Sequence, residues 1–326
     1  DALNGKKTFE VVSGLCEEYD VDSVHDYIVN HPVDAATTES AWTAVQDEKA
    51  LIIEGDFSHF DLSVGEDHLL VTHEFFRHLG VPESTLNLSK RLWSSSGSTR
   101  NHVKYKTQFK RRSGEPDTSS GNSIITFTLY AYVLHKYGID DYRMLVLGDD
   151  MLLVVYDVIK AREINWKTEL QNLGFNVKIK FPHAYTAQFC SGRFYFTNNG
   201  LVLGPKIGRI LAKIGYSLSN PHKSDEHIKG VVLGQAKAFC MLPVLREYYH
   251  KTMSLVPKKS QSLVDRFKIN VREDHELSIA GKTQLDIIYG AYYSVLNQLA
   301  DDINKCERLT NVVVNPFFRE IVLLDR

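Results

Sequence analysis

Two short apolar runs, Met144–Leu147 and Met151–Val155, are separated only by Gly148, Asp149 and Asp150. Two runs of that length joined so closely predict a buried antiparallel hairpin with acids at its tip. Adjacent carboxylates repel, and holding them together costs free energy unless a cation neutralises them. Hard oxygen donors at such a turn suit Mg²⁺, which keeps some of its waters and takes substrate phosphate oxygens as further ligands. An ordinary Asp-rich surface turn is the competing reading for a lone Gly-Asp-Asp. A second acid alters the balance, because Leu51, Ile52 and Ile53 form another apolar strand, which runs into Gly55 and Asp56. Neighbouring strands lie about 4.8 Å apart. Carboxylates at their ends can therefore share two metals about 3.5 to 4 Å apart, the arrangement that activates a hydroxyl and stabilises a leaving pyrophosphate. Asp61, five residues beyond Asp56, is better placed beside a substrate sugar.

The remaining chain reads as alternating helices and strands. A helix is expected from about Val64, with Ser63 and Glu66 at capping-box spacing and Gly80 and Pro82 at its end. Further helices are expected over 119–137, closed by Gly138, and over 158–173, closed by Gly174. Phe175, Val177, Ile179 and Phe181 alternate with polar residues, the period of a half-buried strand. Arg193–Phe196 and Leu201–Leu203 flank Asn198, Asn199 and Gly200 as a second hairpin. From Pro205 the pattern is mainly helical, which places a boundary near 204. Between the two acid-bearing strands lies a loop of small and hydroxyl residues, Ser113 to Asn122, entering a helix. It reads either as a flexible turn with a good N-cap or as a loop that shifts around a template base. In the second reading Ser113, Thr118 and Asn122 meet a ribose hydroxyl.

Composition narrows the partners. With 326 residues and 43% apolar content the chain can fill about two domain cores, and 38 basic residues against 40 acidic ones leave no uniformly basic coat. Any nucleic-acid site must be local. Residues 1–50 carry eleven acids against Lys6, Lys7 and Lys49. Lys104, Lys110, Arg111 and Arg112 belong to an acid-free basic cluster, and Lys206, Arg209 and Lys213 share one face of an expected helix beside Ile207, Ile210 and Leu211. Both sets are candidates for tracking a phosphate backbone; a solvated helix face or a strand edge is the plainer alternative. Four widely spaced cysteines argue against a zinc knuckle or a disulfide framework. His59, His68, His73 and His78 point to several faces and are read as surface or packing residues. No apolar run reaches the roughly 18 residues of a membrane span.

Three segments in this order resemble viral RNA-dependent RNA polymerases of positive-strand viruses: GDFSHFD with Asp-x4-Asp, SGEPDTSSGN with SG-x3-T-x3-N, and MLVLGDDMLLVV. They are similar to motifs A, B and C, and YKTQFKRRSG and FCSGRF give the chain a tombusvirus-like or nodavirus-like style. The resemblance covers about residues 50 to 215. It implies an α+β right-hand fold: a remnant of fingers over 1–50, a palm over 51–204 with an antiparallel sheet backed by helices, and a mainly helical thumb over 205–326. It further implies that Asp56 and Asp149 ligate two Mg²⁺ ions, with Mn²⁺ as a substitute, and that Asp150 supports them. Asp61 and Asn122 would read the 2′-hydroxyl, Ser113 and Thr118 would complete that network, and Gly114 would give the loop its freedom. Lys178 or Lys180 would be the general acid for pyrophosphate. Phe189–Phe196 resembles motif E, in which Arg193 is a candidate phosphate contact while Phe194 and Phe196 are read as core. The expected partners are template RNA, the nascent strand, ribonucleoside triphosphates and other replicase proteins, in a viral replication complex of the host cytoplasm. Only 55 residues precede Asp56, and the chain opens without methionine, so it is expected to be a segment lacking most of the fingers. A reverse transcriptase or other palm polymerase, and a non-catalytic RNA-binding replicase module, are the rival readings.

Overall fold

The computed structural model describes residues 42–214, 228–230, 232–233, 239–255, 276–290, 295–307 and 315–325. The acidic segment up to residue 41, with Lys6, Lys7 and Cys16, lies outside them. The chain packs as two compact units, Asp1–Cys190 and Ser191–Arg326. The division falls ahead of the position near 204 that the sequence suggested, so the second hairpin packs with the helical part.

The first unit is built on a four-stranded antiparallel sheet in the order β4 (Tyr142–Leu147), β5 (Asp150–Val155), β1 (Leu51–Phe57), β6 (Val177–Lys180). Strand alternation sorts its side chains. Leu51, Ile53 and Phe57 of β1, Met151, Leu153 and Val155 of β5 and Val177 of β6 pack on one face in a single core. Covering that face are α2 (Glu66–His78), α4 (Thr118–Lys136) and α6 (Trp166–Asn172), which contribute Leu69, Ile125, Tyr130, Val133, Trp166 and Leu170. Ile52, Leu152 and Val154 are buried on the opposite face. On that side the backbone N–H of Gln188 donates to Glu54, while the Trp42 indole donates to Ala184 O at 3.1 Å. Burial on both faces is why β5 reads as a continuous apolar run rather than as an alternation.

Two helix boundaries differ from the sequence expectation. A short helix α1 (Phe60–Ser63) precedes α2, and the N-cap of α2 is Gly65, whose N–H is accepted by His68 Nδ1 at 2.9 Å. Ser63 Oγ instead donates to His59 O. The other His68 nitrogen pairs with Leu173 O, and burial holds the imidazole below its ordinary pKa, as that pattern of a neutral ring requires. The expected helix over 158–173 is two helices, α5 (Val158–Glu163) and α6. Ile164 is extended, Asn165 accepts from Thr168 N at 3.2 Å as a fresh N-cap, and Trp166 Nε1 donates back to Ala161 O. The apolar spacing survives the break, which is why periodicity alone did not reveal it. This unit also contains helix α3 (Glu83–Ser89) and an exposed hairpin, β2 (Ser94–Ser98) with β3 (Lys104–Gln108).

The second unit begins with the hairpin β7 (Gly192–Thr197) and β8 (Gly200–Pro205), which turns through Asn198 and Asn199. The helices delimited among the described residues that follow are α7 (Ile207–Leu211), α8 (Leu245–Leu255), α9 (Ile279–Tyr289), α10 (Asn297–Lys305) and α11 (Pro316–Leu324). Their core gathers Tyr195, Ile207, Leu242, Leu285, Leu299 and Ile321. Phe194 is buried and Phe196 half-buried. No helix among the described residues is long and apolar enough to cross a membrane.

Candidate active site

The β4–β5 turn contains two residues, with Leu147 opposite Asp150. Its first position, Gly148, has φ +65°, the left-handed region a side chain resists, so a glycine is required there. Asp149 follows at the exposed tip. In β1, Gly55 pairs with Met151, so the next step along both strands sets Asp56 against Asp150. On its other side Asp56 pairs with Lys178 of β6. Asp150, Asp56 and Lys178 thus form one cross-strand row on a single face at the carboxyl end of β1. Lys180 pairs with Glu54, one pleat further from the turn. Both lysines are exposed.

The described residues provide neither Asp56 nor Asp149 with a hydrogen bond or an ion pair. Asp150 lies beside the Cys190 thiol. Burial, then the charge of Asp150 and a hydrogen bond with it, and finally the charge of Asp149 push that thiol up to about 11. Among the described residues no three His, Cys, Asp or Glu side chains close around one ion position. The donor set fits a divalent ion of the Mg²⁺ kind, which needs one or two carboxylates and completes its shell with water and phosphate. It does not fit zinc, which needs three or four protein ligands.

Asp61, in α1, accepts a hydrogen bond at each of its oxygens. Its Oδ2 accepts from Ser113 Oγ at 2.7 Å and its Oδ1 from Asn122 Nδ2 at 2.9 Å. These three residues, which the sequence grouped around a sugar hydroxyl, are brought together from positions up to 61 residues apart. They line a cavity of about 790 Å³ together with Thr118, Gly148 and Asp149. Asn122 is buried, and its Oδ1 has no hydrogen-bond partner among the described residues. His59 also lines the cavity and holds φ at +56°, a strained conformation for a side-chain-bearing residue.

The loop that carries Ser113 is tied down at several points. Arg111 is buried and pairs with Asp117 at 2.8 Å, while Arg112 donates to Glu115 at 2.8 Å and Thr118 Oγ1 donates to Arg112 O at 2.9 Å. Thr118 therefore braces the loop. Gly114, at φ +95° with open space around it, is the residue whose conformation needs a glycine. Lys110 donates to Val64 O at 2.9 Å. Lys110, Arg111 and Arg112, which were expected to meet phosphate, are each engaged within the protein: Lys110 with Val64 O, and the arginines with Glu115 and Asp117, the acids following the basic run.

Two other residues expected to contact phosphate are buried in the second unit. Arg193 is buried and pairs with Asp325 at 2.6 Å, with Tyr289 Oη at 3.2 Å. Lys206 is buried at the N-cap of α7, a helix of only five residues whose Gly208 lies against the backbone of Ile321. That close packing draws in the face on which Lys206 was expected to be free. Arg209 is half-buried and Lys213 exposed. Sequence reasoning missed Ser123 and Thr126 of α4, whose hydroxyls bind the backbone of Gly148. The available signal was the threonine that interrupts the apolar run beginning at Ile124.

The sequence profile of the family described as "RNA dependent RNA polymerase" matches residues 23–231. The chain belongs to that family. It is 32% identical over 183 residues to the RNA-directed RNA polymerase 2a of Alfalfa mosaic virus, a match covering 52% of this chain and 22% of that protein. With the RNA-directed RNA polymerase of Cucumber necrosis virus it shares 26% identity over 234 residues, 66% of this chain and 28% of the relative. With the methyltransferase/helicase/RNA-directed RNA polymerase of Raspberry bushy dwarf virus it shares 32% over 173 residues, 52% of this chain and 10% of the relative. This member of the polymerase family therefore spans between a tenth and under a third of the length of these relatives.

Proposed function

We propose that this chain carries the catalytic centre of a template-directed RNA polymerase. The observation that carries the reading is the division of labour among its carboxylates: Asp61 accepts from Ser113 and Asn122 in the cavity lining, whereas Asp56 and Asp149 at adjoining strand ends have no protein partner among the described residues. The four-stranded sheet with its helices would be the palm, and the helical second unit the thumb. Asp56 and Asp149 would hold Mg²⁺, with Asp150 in support. When bound, the metal lowers the pKa of a 3′-hydroxyl and offsets the charge of the departing pyrophosphate.

The protein's own groups supply orientation and proton transfer. A ribose 2′-hydroxyl both donates and accepts, so it can join the Asp61–Ser113–Asn122 hydrogen-bond network that lines the cavity, and a deoxyribose leaves that network without this partner. Lys178, which pairs with Asp56 in the strand register, would protonate pyrophosphate as it leaves; Lys180 lies a pleat further away. Template RNA would follow the β2–β3 hairpin. Lys104 and Lys106 project beside Ser98 and Ser96, exposed and without an ion pair among the described residues, while half-exposed Tyr105 lies over Gly97 as a stacking surface. The natural partners are other replicase proteins and a host-cell replication complex.

The test is Mg²⁺-dependent incorporation of matched ATP and dATP on an RNA template by the complete polymerase. RNA synthesis that prefers ATP and is lost in Asp56→Ala supports the reading. Equal use of both sugars would indicate another palm polymerase, and template binding without incorporation a replicase module.

A further inference from the structure

We infer that Ser123 and Thr126 are positioning residues that hold the metal-bearing turn in register with the sugar-reading network. This inference rests on the polymerase reading above and adds two residues to its machinery. The geometry is a two-point clip on one peptide unit pair. Gly148 N donates to Ser123 Oγ at 2.8 Å, and Thr126 Oγ1 donates to Gly148 O at 2.9 Å. Ser123 Oγ also donates to Ser119 O at 2.8 Å, one turn back in α4, so its proton is committed and its lone pair must face the turn. Thr126 is completely buried, and no water competes for its hydroxyl.

Gly148 is the residue immediately before Asp149. In a two-residue hairpin loop its N–H and C=O lie beyond the last strand pairing, Leu147 with Asp150, and strand hydrogen bonds do not restrain them. The clip supplies the missing restraint. Asn122, next to Ser123, reaches Asp61 from the same helical turn. One rigid helix therefore sets both the ribose contact and the carboxylate, and pre-organised placement of this kind is what phosphoryl transfer demands of a protein. If the clip serves only to stabilise the hairpin, its loss would lower stability and leave metal use and turnover of the folded protein unchanged.

The experiment uses the complete polymerase with Ser123→Ala, Thr126→Val and the conservative Thr126→Ser. Thr126→Val preserves shape and removes only the hydroxyl. One readout is independent of catalysis: selective ¹⁵N-glycine labelling follows hydrogen exchange of the Gly148 amide, expected to be slow in the parent and about tenfold faster or more in Ser123→Ala. A second is Mn²⁺ affinity by electron paramagnetic resonance, expected to weaken several-fold in Thr126→Val. In turnover, kcat should fall about tenfold in Thr126→Val with the KM for nucleotide little changed, and Thr126→Ser should restore it. Unchanged Gly148 exchange in Ser123→Ala would overturn the clip itself. Lowered stability in Thr126→Val with parental Mn²⁺ affinity and kcat would overturn its positioning role. Failure of the parent protein to incorporate nucleotide would overturn the polymerase reading while the exchange result stands apart.

Discussion

Asp149 in the first unit and Asp325 in the second are the same residue type in opposite surroundings. Asp325 is almost fully buried and receives three donors: Arg193 at 2.6 Å, Tyr289 Oη at 2.8 Å and Gly208 N at 2.7 Å. It joins β7, α9 and α7 at the carboxyl end of α11. Asp149 stands exposed at the tip of a hairpin, with no protein donor among the described residues. The chain surrounds Asp325 with donors, whereas the backbone sets Asp149 at the surface with its oxygens open to solvent.

The largest effect that could break this comparison is on catalysis. Asp149→Ala should reduce incorporation by at least about a thousandfold, the scale of removing one electrostatic contact at a phosphoryl-transfer site. Its urea midpoint should be unchanged or slightly higher, because repulsion with Asp150 is relieved. Retained turnover would remove Asp149 from the site. Next in size, Asp325→Ala should destabilise the second unit by about 3 to 5 kcal/mol, since it leaves Arg193 charged and buried without its partner. Chemical denaturation followed by tryptophan-independent circular dichroism reads this, and an unshifted midpoint would show that the network contributes nothing.

A smaller effect concerns Asn122. Asn122→Ala should narrow the ratio of kcat/KM for ATP over dATP by about tenfold or more, mainly through poorer ATP use, as expected when a hydroxyl loses its hydrogen-bonding site. An unaltered ratio would confine Asn122 to holding Asp61. The smallest effect separates the two basic regions. Lys104→Ala and Lys106→Ala should each lower the slope of log K against log salt for single-stranded RNA by about 0.7. Lys206→Ala should leave the slope alone and reduce stability, because that lysine is buried. A slope change at Lys206 with none at the hairpin would move the RNA path to the second unit.

Much of the site was legible because its residues sit at the ends of apolar strands. Gly148 and Asp149 mark a hairpin by local turn chemistry, and Asp56 ends a strand whose Leu51, Ile52 and Ile53 can only be buried. The grouping of Asp61, Ser113 and Asn122 followed from the resemblance, and the structure brings the three into hydrogen-bonding contact. Charge was read less well. Arg111, Arg112, Arg193 and Lys206 are cations whose roles depend on what folds against them, and the acids that pair with three of them lie from three to 132 residues away.

By itself the sequence determined the local features: strand and helix type, the glycine-dependent turn at Gly148, and the order of acid-bearing segments that marks the family. These follow from backbone sterics and side-chain periodicity, which act over a few residues. Only the tertiary structure decided which polar groups are free. It showed that Lys178 rather than Lys180 faces Asp56, that Asp325 closes on Arg193, and that Ser123 and Thr126 grip Gly148. Register and burial set those partnerships, and both arise from packing between segments far apart in the chain, where periodicity carries no information.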